Sequence, residues 1–451
     1  MSAQWSRAQV LELAPDAGSA KAGQGLARAT AWRTLGCTDQ ALWGEIQGSG
    51  KNPYQVRIDL SEPAFKCSCP SRKFPCKHGI GLLLIFADQP GAFTAGDAPD
   101  WVTDWLERRT QRTEQRAAKA AERPPADPEA RAKRAAQRAD KVHRGVEELA
   151  LWLADLVRQG LGAAQAQPVR YWENIAARMV DAQAPGLARW VRNLADNASS
   201  GEGWQERMLA AAGRLHLLLE AYARIDALPA ALQADVRTCI GWPTPKEELL
   251  AQAGVTDAWT VLGQRIEREE KLRVQRTWLW GEATGREALI LQFAAGAQPF
   301  EMAFVPGARF EGRLVYFPSA QPLRAIVATR TDAASGVVGL RAPGVAAARD
   351  AYVGALAEQP WIERWPLRVG GVVPRRDDAG GWQLVDAEGD GVALDERTAC
   401  GWQLLAISGG APLEVFGEWD GARLQPMSVA TEGRLFTVAQ TDAGAQIARV
   451  A

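Results

Sequence analysis

Cys67, Cys69, Cys76 and His78 are the residues of this 451-residue chain best suited to chemistry. They read Cys-x-Cys, six residues, then Cys-x-His. Three of the six cysteines and one of the three histidines thus fall within twelve positions. Three thiolates and an imidazole make a complete tetrahedral set for Zn²⁺, with no position left for water or substrate. The spacing therefore predicts a closed, structural metal site. A redox pair would instead take Cys-x-x-Cys spacing on a thioredoxin-like unit, which the sequence lacks. Zinc ligands bind deprotonated, so the site would carry a net charge of about −1. Lys66, Arg72, Lys73 and Lys77 surround it in sequence, and no acid falls between Lys66 and His78. These cations neutralise the thiolates, or they also face a phosphate backbone, with Phe65 or Phe74 near a base.

Two strands and a helix must position the four ligands. Leu42 to Gln47 reads as a strand, followed by the turn Gly48-Ser49-Gly50-Lys51-Asn52-Pro53. Tyr54, Val56, Ile58 and Leu60 then alternate with Gln55, Arg57 and Asp59, which is a hairpin signal. Phe65 to Cys69 predicts a third short strand, on which Cys67 and Cys69 share a face. Pro75 suits the first turn of a helix whose apolar body is Ile80 to Phe86. The expected unit is a small ββ(β)α module with Trp43, Ile46, Val56, Ile58, Leu83 and Phe86 as its core.

Cys67, Cys69, Cys76 and His78, in that order on a hairpin followed by a helix, resemble the SWIM-type zinc finger. The run from Cys69 to His78 is similar to the bacterial members. Thr277-Trp278-Leu279-Trp280-Gly281 also resembles the body of bacterial SWIM proteins. The resemblance implies binding of DNA or of a protein partner. It also implies neighbours of the AAA ATPase and von Willebrand A-type classes, and hence an alternative role as a scaffold subunit of an ATPase-linked complex without nucleic acid.

The rest of the chain predicts an α+β multidomain protein: a ββα zinc finger, a central helical bundle and an antiparallel β-rich C-terminal region. The expected boundaries are 1–39 for an N-terminal segment, 40–92 for the finger and 93–145 for a basic helical linker. A helical domain follows over 146–268 and the β-rich region over 269–451. The linker is read as two exposed helical arms broken at Pro124-Pro125-Ala126-Asp127-Pro128. Leu149, Trp152, Leu153, Leu156 and Val157 carry the helical period of the bundle. So do Leu187, Trp190, Val191 and Leu194, and then Leu215, Leu218, Leu219 and Tyr222. Beyond Leu272 the period becomes two, with one helix expected over Val345–Leu356. Gly389-Asp390-Gly391, Asp420-Gly421 and Glu432-Gly433 read as hairpin turns. Trp382, Trp402 and Trp419 are expected on short strands.

A formal net charge of −1 excludes binding to nucleic acid by bulk charge alone. The distribution is uneven, with 22 Lys and Arg against 16 Asp and Glu up to Gly145, and 30 against 37 after it. No export signal is read at the N-terminus, and the longest apolar run, Ile80 to Ala87, is far short of the roughly 20 residues that span a bilayer. The expectation is a cytoplasmic protein, off the membrane, with reduced cysteines. Cys37, Cys239 and Cys400 are expected as small buried hydrophobes. His143 reads as surface and His216 as a hydrogen-bonded structural histidine. P-loop, H-E-x-x-H and G-x-S-x-G signatures are absent, so no enzymatic activity is expected.

Overall fold

A computed structural model describes residues 7–438, apart from 16, 49–51, 61–63, 72, 122–127, 270–271, 296–299, 333–338, 379 and 396–399. Arg72 and most of the proline-rich break expected at 124–128 therefore lie outside the described residues.

The first unit begins with helices α1 (Arg7–Glu12) and α2 (Ala17–Leu26). Strands β1 (Trp32–Cys37), β2 (Ala41–Ile46), β3 (Tyr54–Asp59) and β4 (Ala64–Cys67) follow, then α3 (Lys77–Asp88) and β5 (Thr94–Ala95). The sheet order is β4-β3-β2-β1-β5, so the predicted hairpin and third strand sit in a five-stranded sheet. Alternation along β2 and β3 sends Leu42, Ile46, Val56 and Ile58 to one face. There they pack against Ile80 and Leu82 to Ile85 of α3. Helix α2 lies close across α3 because Gly23 and Gly81 meet it without side chains. A Cβ on Gly23 would sit 2.5 Å from Ile80 Cγ2, and one on Gly81 2.9 Å from Leu26 Cβ.

Trp43 does not join that core. It points to the opposite face with Ala41 and packs on Val102, from helix α4 (Asp100–Ala121). The start of α4 is thus a cover for the sheet and not the solvated arm its composition suggested. The Arg57 guanidinium lies under the rings of Trp101 and Trp105, 5.2 and 5.9 Å from their centroids. Arg109 reaches Asp59 at 3.2 Å. Trp101→Ala removes one ring from Arg57 and part of the apolar cover. It is expected to lower the stability of this unit by about 2 kcal/mol in urea titrations, with zinc content unchanged.

The bundle comprises α5 (Pro128–Gln159), α6 (Leu161–Gln165), α7 (Val169–Asp181), α8 (Pro185–Ala198), α9 (Trp204–Ala223), α10 (Ala230–Ile240) and α11 (Lys246–Leu250). Its core is built from the predicted positions Leu149, Leu153, Leu156, Leu187, Trp190 and Leu215, with Trp172 and Met179 of α7. Helix α5 runs unbroken through 145–146, because Val142 and Val146 are buried in the same core. Val157 and His216, by contrast, are exposed.

Helical structure ends near Leu250, earlier than its period suggested. Strand β6 (Val255–Glu269) opens a closed barrel with β7 (Leu272–Gly281), β8 (Glu287–Ala295), β9 (Arg309–Tyr316) and β10 (Arg324–Asp332). The circuit runs β6-β7-β8-β10-β9 and back to β6, the five-stranded Greek-key architecture of the OB barrels. One pair, β8 with β10, is parallel, so the region is not wholly antiparallel. Trp259, Leu279, Ile290, Phe310 and Leu314 fill the interior.

The last unit is a six-stranded sheet, in the order β13-β12-β11-β14-β15-β16. It is formed by β11 (Trp365–Arg376), β12 (Trp382–Val385), β13 (Gly391–Ala393), β14 (Leu413–Trp419), β15 (Leu424–Thr431) and β16 (Arg434–Thr437). Helices α12 (Val345–Glu358) and α13 (Gly401–Ser408) accompany it. All three predicted glycine turns join adjacent strands. Trp402, however, is on α13 and 61% exposed, not on a strand. The sheet packs on the outer wall of the barrel, where Phe416 and Met427 cover Trp278 and Leu289. Among the described residues, no helix is long and apolar enough to cross a membrane.

Candidate metal centre

The four predicted ligands converge. One donor atom from each of Cys67, Cys69, Cys76 and His78 lies within 4.8 Å of the others. His78 Nδ1 is 3.8 Å from Cys67 Sγ and 3.9 Å from Cys76 Sγ. Donors around a tetrahedral zinc, at about 2.0–2.3 Å from the ion, stand roughly 3.6–3.8 Å apart. The residues present therefore fit Zn²⁺ with little adjustment.

Each ligand has its own support. Cys67 ends β4, paired with Val56. Cys69 lies beyond the strand, so the shared-face argument does not place it. Ser68 does: its amide donates to Gln55 O at 3.1 Å, and its Oγ accepts the Gln55 N–H at 2.9 Å. The residue between the two cysteines is thereby pinned to β3. Cys76 is the N-cap of α3 and His78 lies in its first turn. Pro75 precedes the cap and is not in the helix. Cys76 and His78 are both buried.

Electrostatics favour a bound cation. A hydrogen bond from Cys67 holds the Cys76 thiol down to about 4, helped by His78 and the Gly79 amide. The same bond pushes the Cys67 thiol up, and burial adds to it. Burial also raises Cys69. One thiolate is thus cheap, whereas three in contact repel one another unless a divalent ion neutralises them.

The four basic residues do not act together. Lys66 pairs across the ladder with Arg57, one residue from Cys67, so it points to the opposite face of the sheet. Lys73, in the loop between the ligand pairs, and Lys77, the first residue of α3, are exposed. Phe65 and Phe74 pack edge-on, 6.1 Å between centroids. Phe65 also closes on Gly79, where a Cβ would come within 2.9 Å of its ring. These aromatics clamp the ligand loop to the helix and are not laid open for stacking. Sequence reasoning missed Ser68, Gly79 and Tyr54, whose ring lies 5.2 Å from that of His78. Only the short spacing of Ser68 and Gly79 from the ligands hinted at their roles. Cys37 and Cys239 are partly buried and Cys400 is fully buried, all three remote in sequence from the site.

Residues 54–86 match the SWIM zinc finger family. Residues 137–240 match the SWIM-associated four-helix bundle domain, over the helices α5 to α10. No curated protein and no solved structure matches the chain at a significant level. Both matches accord with a SWIM-type zinc finger protein, and the ligand cluster makes the chain zinc-binding.

Proposed function

We propose that this SWIM-type zinc finger protein is a non-enzymatic cytoplasmic binding module whose zinc-held loop meets the phosphate backbone of DNA. The observation that carries this reading is the exposure of Lys73, in the loop between the ligand pairs, and of Lys77, between Cys76 and His78, with no acid between Lys66 and His78. Arg72 adds a third cation to the same loop in sequence. The zinc holds the loop, and the loop aims the charges. Lys66 serves the other face and is not part of this contact. Because Phe65 and Phe74 are packed together, the contact is to backbone and independent of base sequence.

Binding to random duplex DNA should therefore weaken steeply with salt. Lys73→Ala/Lys77→Ala should flatten the plot of log K against log salt by about 1.8, the share of two phosphates. An unchanged slope in that variant would reject the DNA reading.

A second reading has its own support. Helices of this chain cover both faces of the finger sheet, and its own β-sheet covers the outer wall of the barrel. Such a body suits a scaffold subunit in an ATPase-linked complex, with partners of the AAA ATPase or von Willebrand A-type classes. Nuclease-resistant co-purification of such partners, lost when the zinc ligands are replaced, is the result expected of it.

A further inference from the structure

A cleft of about 690 Å³ lies where three units meet, far from the finger in sequence. The bundle supplies Trp242, the barrel Phe293, Met302 and Ile326, and the segment before β11 supplies Trp361. Its volume falls in the range of small-molecule sites, and a junction between units is where such sites tend to form.

Four cations line the cleft. Arg189 is paired with Glu363 at 3.5 Å and Lys246 with Glu301 at 3.8 Å. Arg364 is held by Glu267 at 2.8 Å and Glu418 at 3.1 Å. Arg324 differs. Among the described residues its guanidinium has no acidic partner and no hydrogen-bond acceptor; its contact is the ring of Phe317, 4.2 Å from the centroid. Burial lowers its pKa with no charge opposing the effect. Arginine stays protonated regardless, so a half-buried guanidinium without an acidic partner lines the cleft. Its backbone is fixed, since Arg324 starts β10 and pairs with Leu289.

We propose that this cleft binds a small organic monocarboxylate with an apolar or aromatic body, anchored by Arg324. The planar fork matches a carboxylate in bidentate fashion. One uncompensated positive charge calls for one negative charge. A dianion would bring its second charge beside the acids Glu301, Glu363 and Asp235 of the same wall. The aromatic and aliphatic wall takes the body. Arg324 and Phe317 form no part of the zinc site, so failure of the DNA reading leaves this proposal standing.

The probe is N-acetylphenylalanine, titrated calorimetrically into the full-length zinc-loaded protein. Its neutral counterpart, N-acetylphenylalaninamide, keeps the body and the donors and lacks the charge. Saturable binding of the acid is expected, at least tenfold tighter than that of the amide. Arg324→Ala should weaken the acid at least tenfold and leave the amide unchanged, and Arg324→Lys should restore part of the loss. Equal affinity for acid and amide overturns the proposal, and this comparison needs no variant to fold. Undiminished binding of the acid by Arg324→Ala overturns it too, as does the absence of saturable binding of the acid up to about 10 mM.

Discussion

Cys76→Ser should reduce zinc from one equivalent per chain to less than about a tenth, measured by elemental analysis of purified protein. Cys76 is the most committed ligand. It caps α3, is buried, and has its thiolate stabilised by Cys67, His78 and the Gly79 amide. Serine keeps the cap and the shape and loses the soft donor. Structural zinc supplies about 10–16 kcal/mol in isolated finger peptides. The present unit has an apolar core of its own, around Leu42, Val56, Ile58 and Leu83. The expected consequence is therefore local: amide exchange accelerates over 64–80, while β1, β2 and the bundle keep their protection. Cys239→Ser, on a cysteine packed against the bundle core, should retain the full zinc equivalent. A Cys76→Ser protein that also retains it would remove Cys76 from the ligand set.

The ligand set was legible because three cysteines and a histidine at this spacing have few other uses. The helical bundle was legible because Leu149, Leu153 and Leu156 repeat at helical period without interruption. What failed did so for tertiary reasons. Trp43 and Ile46 both alternate as strand residues, and alternation alone does not say which face has the larger core. Trp101, Trp105 and Arg57 sit far apart in sequence, so a basic-looking helix read as a linker when its first turns cover a sheet. Val255 to Glu269 carries Trp259, Val261 and Leu262 at mixed apolar positions, which fit a helical period as readily as a strand. Barrel closure depends on the parallel pair Arg324↔Leu289, a contact across 35 residues that no local pattern announces. Lys66 lies near Lys73 and Lys77 in sequence, yet one step along β4 from Cys67 reverses its face.

Glu418→Ala should cost about 3–5 kcal/mol of stability, read as a lower urea midpoint for the C-terminal half. Glu418 is 3% exposed and accepts from Arg276 Nε at 2.7 Å, Trp278 Nε1 at 2.7 Å and Arg364 Nη1 at 3.1 Å. It thus ties β7 of the barrel to β14 of the sheet and to the segment before β11. Alanine would leave two arginines facing a buried gap with one acid fewer, and the cost is mainly that of the stranded charges. Glu418→Gln separates charge from shape, since the amide oxygen still accepts from Trp278. Burial alone would raise the Glu418 pKa, but Arg276 and Arg364 outweigh it and hold the carboxyl below its ordinary value. A depressed folded pKa gives stability that is present above the unfolded value, about 4.3, and is lost as pH falls through the folded one. The wild-type protein should therefore lose stability on acidification below about pH 4.3, and in Glu418→Gln that part of the acid limb should be missing. An acid limb of equal size in both proteins would show that Glu418 is not the group that titrates. Arg276→Ala supplies the reciprocal test: the remaining Arg364 contact should still hold the Glu418 carboxyl down, so the limb should shrink and not vanish.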